Sequence, residues 1–156
     1  MNVITGSIST YVFTMRRSRP EFLALLRAPG LAHAGTWQAV HGLIEPGEKA
    51  YDAALREMRE EAGVPPQRFF KTDYVESFYS ESTDAVHLVP AFAGYVPDDA
   101  AIALSEEHTD YEWCSLGEVL RRFVWPSQRA VAQIIADSVH EWPLVAFGMR
   151  ELSAHA

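Results

Sequence analysis

Apolar residues along this chain switch between two periods, and the switches mark out the elements. Residues 7–15 (SISTYVFTM) alternate loosely and are rich in β-formers, which predicts a strand. Residues 16–20 predict a turn, and residues 22–27 (FLALLR) a second, largely buried strand. Small residues over 28–35 predict a loop, and 36–41 a short strand. The period then lengthens. At about 100° per residue Tyr51, Leu55, Met58 and Ala62 fall in one narrow stripe, the expected core side of a helix. That helix starts near Lys49 or Ala50, after Pro46-Gly47, and runs to Ala62; Gly63 suits a left-handed stop, and Pro65-Pro66 block continuation. Residues 70–79 and 85–96 predict two long strands around a polar turn at 80–84, followed by a loop over 97–101. A strand over 111–114 and a short helix over 116–123 come next. A last helix from about Ser127 to Val139 sets Val131, Ile134, Ile135 and Val139 on its apolar face. This order suits an α/β fold, a mixed sheet between helices.

The opposite face of the 50–62 helix carries Glu57, Glu60 and Glu61 among Ala50, Ala53 and Ala54, which leave room for a loop or a ligand. Each like-charge pair at i, i+3 or i, i+4 costs about 0.2–0.5 kcal/mol on an exposed helix. The acids also sit toward the C-terminus, where the macrodipole disfavours negative charge. Arg56 relieves Glu60 at i+4 but cannot neutralise three acids. A hard divalent cation can, since it takes oxygen ligands. The plain alternative is a solvated acidic face. The loop before the helix favours the cation: Gly42 allows close backbone approach, and Glu48 braces the loop at the positive helix end.

Gly42, Glu48, Arg56, Glu57, the apolar Met58, Glu60, Glu61, Gly63 and the apolar Val64 occupy nine fixed positions over 23 residues. This is the spacing of the Nudix box, and the chain resembles the Nudix hydrolase family. The resemblance implies an α/β/α sandwich and a metal-dependent hydrolase that cleaves a diphosphate linked to another moiety, with Mg²⁺, or Mn²⁺ in its place. Carried over by position, it makes Glu57 and Glu61 metal ligands and Glu60 a third ligand or a water-positioning base. Arg56 orients the glutamates, and the carbonyl of His41 adds a ligand while its side chain projects near the site. Glu107, in Ser105-Glu-Glu-His-Thr-Asp-Tyr-Glu-Trp113, holds a second metal or acts as the base; Glu106 takes its place if the register slips by one.

Outside the box, Arg27 at the end of its strand is a candidate phosphate contact, against a rim arginine with a surface partner. Trp125 is a candidate wall of a base or pterin pocket, whereas Trp37 and Trp113 are expected in the core or at an interface. His108 is expected to be structural or exposed, and His33, His87, His140 and His155 show no ligand spacing. The 156 residues carry a net charge of −8 and are 48% hydrophobic, which predicts one globular domain over residues 1–156 and argues against binding a nucleic acid polymer. A single cysteine, Cys114, excludes a disulfide framework and is expected as a buried strand thiol. No leader pattern or membrane-length apolar run is present, so the expected location is the cytoplasm, with no membrane partner.

The stretch around Glu107 and the helix start at Trp125…Gln128-Arg-Ala-Val131 resemble the dATP pyrophosphohydrolase and dihydroneopterin triphosphate pyrophosphatase subgroup. That resemblance implies a small-molecule phosphoanhydride substrate, a nucleoside or pterin triphosphate cut to monophosphate and pyrophosphate. The proline of ADP-ribose hydrolases is missing from Phe78-Tyr-Ser-Glu81, and the tyrosine spacing of dinucleoside polyphosphate hydrolases is not clearly met, although Tyr79 lies near it. Dinucleoside polyphosphate or nucleotide-sugar cleavage is the second reading, a non-catalytic nucleotide sensor the third. Homodimers are common in the family.

Overall fold

The computed structural model describes residues 1–139 and 149–152, so His140 and His155 lie outside the described residues. Its strands are β1 (Asn2–Ile4), β2 (Ser7–Arg16), β3 (Arg19–Arg27), β4 (Trp37–Gln38), β5 (Val40–Leu43), β6 (Arg68–Ser80), β7 (Ala85–Tyr95), β8 (His108–Ser115) and β9 (Met149–Glu151). Three helices join them: α1 (Ala50–Ala62), α2 (Leu116–Arg122) and α3 (Pro126–Val139). All the strands belong to one mixed sheet with the path β4-β3-β2-β7-β6-β9. β2 is its hub, parallel to β7 and antiparallel to β3 and β5. β8 lies antiparallel along the other side of β3, bringing His108 opposite Arg27.

Alternation along the strands sorts the core into two layers. Tyr11, Phe13, Phe22, Ala24 and Phe70 pack with Val119 of α2 and with Val131, Ile135 and Val139 of α3. Their neighbours Val12, Leu23, Leu25 and Val40 face the other way, onto Met58 and Ala62 of α1. The sheet is thus held between helices, as expected for α/β/α. Gly94 of β7 makes room for α1: a Cβ there would meet Met58 Sδ at 2.6 Å. Gly94→Ala is expected to cost about 1–3 kcal/mol through overpacking, read as a lowered urea midpoint.

Several boundaries differ from the sequence reading, each for a tertiary reason. The turn before β3 shrinks to Arg17 and Ser18, both at positive φ, so Arg19 and Pro20 already pair with Arg16 and Met15. The 36–41 strand splits at Ala39 into β4, on β3, and β5, on β2. β8 starts three residues early because β3 supplies a ladder down to His108. β1 and β9 were not expected at all; each is three residues long and takes its order from a long partner, β7 or β6.

The larger correction concerns α1. Its boundaries and the left-handed stop at Gly63 (φ 68°) match expectation, but the buried face is rotated. Ala53, Ala54, Met58, Glu61 and Ala62 are buried, while Tyr51 and Leu55 are only half-buried. The alanines admit the sheet rather than a ligand: Thr10 Oγ1 donates to the Ala54 carbonyl at 3.4 Å. Glu61 therefore points into the protein. No helix among the described residues is long and apolar enough to cross a membrane.

Candidate active site

Four pieces of chain converge at the C-terminal half of α1: the helix itself, β5 with the turn after it, the end of β3, and the segment leading into β8. The last is tied down by backbone bonds from Ala103 N–H to the Ala62 carbonyl (3.0 Å) and from Ala28 N–H to the Glu107 carbonyl (2.9 Å). Ser105 N–H reaches the Glu61 carbonyl at 3.4 Å. That is how a residue 46 positions beyond Glu61 is delivered beside it.

Arg56 organises the helix acids. Its guanidinium donates to Glu48 Oε1 (3.0 Å) and Oε2 (2.9 Å), to Glu57 Oε1 (2.8 Å), to Glu60 Oε2 (3.2 Å) and to the Leu43 carbonyl (2.8 Å). Glu48 also accepts from Glu45 N–H at 2.9 Å, so the turn and the helix are clamped together. Gly42 is required here: a Cβ would lie 2.0 Å from Glu57 Cδ. Across the site, Arg27 donates to Glu107 Oε2 at 2.5 Å. Glu106 is exposed and takes no part in this pairing.

Glu61 has no arginine of its own. It is 3% exposed, and among the described residues its Oε2 finds no hydrogen-bond partner. Burial first, then the charges of Glu107 and Glu57, push its carboxyl up to about 8, against the lesser pull of the His41 N–H and of Arg27. Burial also raises Glu57, with Arg56 opposing. The nearest ring is His108, buried, with Nδ1 3.9 Å from Glu61 Oε2, too far for a hydrogen bond. Its Nε2 stands 3.2 Å from the Gln38 amide nitrogen, which fixes Nε2 as acceptor and leaves the ring proton on Nδ1, toward Glu61. Burial, reinforced by Arg27, holds His108 down at about 4.

These two shifts oppose each other in the linkage of stability to pH. Glu61 keeps its proton to about pH 8 when folded but only to 4.5 when unfolded, so its contribution is full at low pH and is lost as pH rises toward 8. His108 takes a proton near 6.5 when unfolded but only near 4 when folded, so its contribution is full above 6.5 and is lost as pH falls. Between pH 8 and 6.5 only the Glu61 slope acts, and below 6.5 the two cancel. EDTA-treated protein is expected to gain roughly 2 kcal/mol from pH 8 to 6.5, then level off, in urea titrations. Saturating Mg²⁺ removes that slope, because the cation keeps the folded carboxylate ionised, as it already is in the unfolded chain at these pH values. A flat profile in EDTA would refute the raised Glu61.

His41 sits on β5 with its side chain open to solvent, its imidazole held below the usual range by close packing and by Arg27. It borders a cavity of about 480 Å³ whose walls include Gln38, Glu76, Phe78, Trp125 and Gln128. Trp125 is half-buried there, with His33 edge-on at 5.2 Å. Trp37 and Trp113 instead pack against the two core layers, and Cys114 is buried in β8. Reading the sequence missed Gln38, Glu76, His108 and Gln128. None of them carried a local signal: each is set in place by tertiary packing, His108 by its register with Arg27 at the end of β3.

The donor set suits a hard divalent cation. Glu57, Glu60, Glu61 and Glu107 offer carboxylate oxygens, and the unpartnered Glu61 Oε2 is a buried acceptor that needs a positive partner. As the side chains stand, Arg56 and Arg27 hold three of these carboxylates, and no three ligating groups among the described residues meet at one point.

The family model for the NUDIX domain matches residues 7–134. The chain is 33% identical over 118 residues to the asymmetrical bis(5'-nucleosyl)-tetraphosphatase of Sus scrofa, covering 72% of this chain and 76% of that protein. It is also 33% identical over 112 residues to an octanoyltransferase of Myxococcus xanthus, covering 70% of this chain but only 31% of that longer protein. Among solved structures, the E. coli dihydroneopterin triphosphate pyrophosphohydrolase superposes with a TM-score of 0.72 at 22% identity, covering 86% of this chain and 94% of that one.

Proposed function

The chain belongs to the NUDIX domain family and is a hydrolase of phosphoric anhydride bonds, and we propose that it cuts a nucleoside or pterin triphosphate to the monophosphate and pyrophosphate. The observation that carries this reading is a buried Glu61 with an unpaired Oε2 beside arginine-held glutamates, bonded through the His41 N–H to a strand whose His41 borders a cavity of about 480 Å³. Glu57, Glu60, Glu61, Glu107 and the His41 carbonyl would hold Mg²⁺ or Mn²⁺. Bound there, such a cation offsets charge on phosphate oxygens and lowers the pKa of a bound water.

The protein's own groups do the rest by position and charge. Arg56 fixes the directions of Glu57 and Glu60. Arg27, steered by Glu107, offers its remaining N–H donors to a phosphate oxygen. Glu60 or Glu107 takes the proton from the attacking water at a carboxylate oxygen. Trp125 and Phe78 flank the heterocycle. The substrate is a small molecule rather than a nucleic acid polymer, and the protein works in the cytoplasm, alone or as a homodimer.

Likeness to a tetraphosphatase that acts on bis(5'-nucleosyl) compounds favours a second reading, cleavage of a dinucleoside polyphosphate. ³¹P NMR with Mg²⁺ and separate dATP, dihydroneopterin triphosphate, ADP-ribose and diadenosine tetraphosphate samples decides. Pyrophosphate from a triphosphate is the expected result. Turnover confined to the tetraphosphate would replace the first reading by the second. Thermal stabilisation with no product would make the protein a sensor.

A further inference from the structure

The cavity beside His41 holds a buried carboxylate that the hydrolytic chemistry does not use. Glu76, on β6, is 5% exposed, and its Oε1 accepts from both the Ser9 hydroxyl and the Tyr11 hydroxyl (2.8 Å) of β2. Burial, then the Glu76 carboxylate, raises Tyr11 well above its ordinary range and keeps it a donor. Among the described residues Oε2 receives no hydrogen bond, yet the side chain lines the cavity. Among the described residues no lysine or arginine lines it. A buried carboxylate with a spare oxygen and no cation calls for N–H donors from whatever fills the space.

Two amides complete the pattern. Gln128, 6% exposed, accepts from Ala39 N–H at 3.5 Å through Oε1, which leaves its NH₂ as a donor toward the cavity. Gln38 spends its NH₂ on His108, which leaves its carbonyl as an acceptor. Phe78 and Trp125 supply flat apolar walls. The lining therefore asks for a flat ring with adjacent N–H donors next to a carbonyl. Adenine would set the N1 lone pair against the carboxylate, and cytosine the N3 lone pair. Uracil brings a single N–H between two carbonyls. Guanine and the pterins share the edge that fits, a ring N–H beside an exocyclic NH₂ with the carbonyl adjacent.

We propose that Glu76 is the specificity-determining residue of this cavity and selects the 2-amino-4-oxopyrimidine edge common to guanine and pterin triphosphates. The inference rests on the triphosphate reading above for its kinetic arm only. Wild-type kcat/KM is measured with GTP, dihydroneopterin triphosphate, ATP and ITP, the last being GTP without its 2-amino group. GTP or the pterin is expected to exceed ITP and ATP by about tenfold to a hundredfold, the scale of a lost buried charge-assisted hydrogen bond. Which of the two leads identifies the natural ring. In Glu76→Gln the GTP-to-ITP ratio is expected to fall toward one. A second arm needs no turnover: GMP is expected to bind at least about tenfold more tightly than IMP by calorimetry in EDTA.

Hydrolysis without discrimination, or equal binding of GMP and IMP, overturns the role of Glu76. Preferential GMP binding with no triphosphate cleaved sustains it and overturns the reaction reading instead.

Discussion

Glu61→Gln is expected to lower kcat by about 10³-fold or more, with the unfolding midpoint unchanged or slightly raised at neutral pH. Both halves follow from one environment. The carboxyl is buried among other acids and pushed up to about 8, so the folded protein already carries it mostly protonated at pH 7 when no cation is bound. Glutamine copies that neutral shape and removes the only form of the side chain that repels Glu57 and Glu107. What it cannot do is become an anionic ligand. The unpartnered Oε2 has no structural bond to lose, so stability has nothing large to forfeit. Steady-state kinetics with Mg²⁺, paired with urea denaturation in EDTA, check the two halves together. Wild-type turnover would remove Glu61 from the metal site; a loss of several kcal/mol would make it a structural residue.

The second large effect is expected at Gly42→Ala: kcat/KM falls by about 10²-fold and stability by about 1–3 kcal/mol. The added Cβ would stand 2.0 Å from Glu57 Cδ, 2.2 Å from Cγ and 2.3 Å from Oε1. Glu57 cannot swing aside freely, because Arg56 binds it to Glu48, Glu60 and the Leu43 carbonyl at the same time. Relief at one point disturbs the whole clamp. A double-mutant cycle with Glu57→Ala separates the causes. If the clash is with that side chain, Gly42→Ala adds little further instability in the Glu57→Ala background, while activity stays low. A fully active Gly42→Ala enzyme would show that Glu57 has a second position of equal value.

The acidic half of this candidate site was legible in the sequence because it is local. Gly42 to Val64 is a contiguous run in which a turn, a helix and its stop are set by neighbouring residues, and helix spacing alone groups Glu57, Glu60 and Glu61. The binding half was not, because its members come from separate strands and helices. Gln38, Glu76 and Gln128 meet only once β4 and β6 have joined the sheet and α3 has packed over it. The buried face of α1 misled for a related reason. Periodicity favours the bulky stripe of Tyr51 and Leu55, but the neighbouring strands present Thr10 and Gly42, and small surfaces pack closest on small ones. His108 looked inert because its meaning lies in Arg27, its register partner on β3.

The pairing of β3 with β8 also sets a timetable. The Arg27–Glu107 link closes a loop of 80 positions, the kind of contact that makes folding slow because chain entropy must be surrendered before any reward arrives. A ribosome adding about 5–20 residues per second delivers Glu107 some seconds after α1 is complete. During that interval the nascent helix carries its three acids without their cover. The segment that carries Glu107 therefore joins the acids of α1 only when β8 pairs with β3.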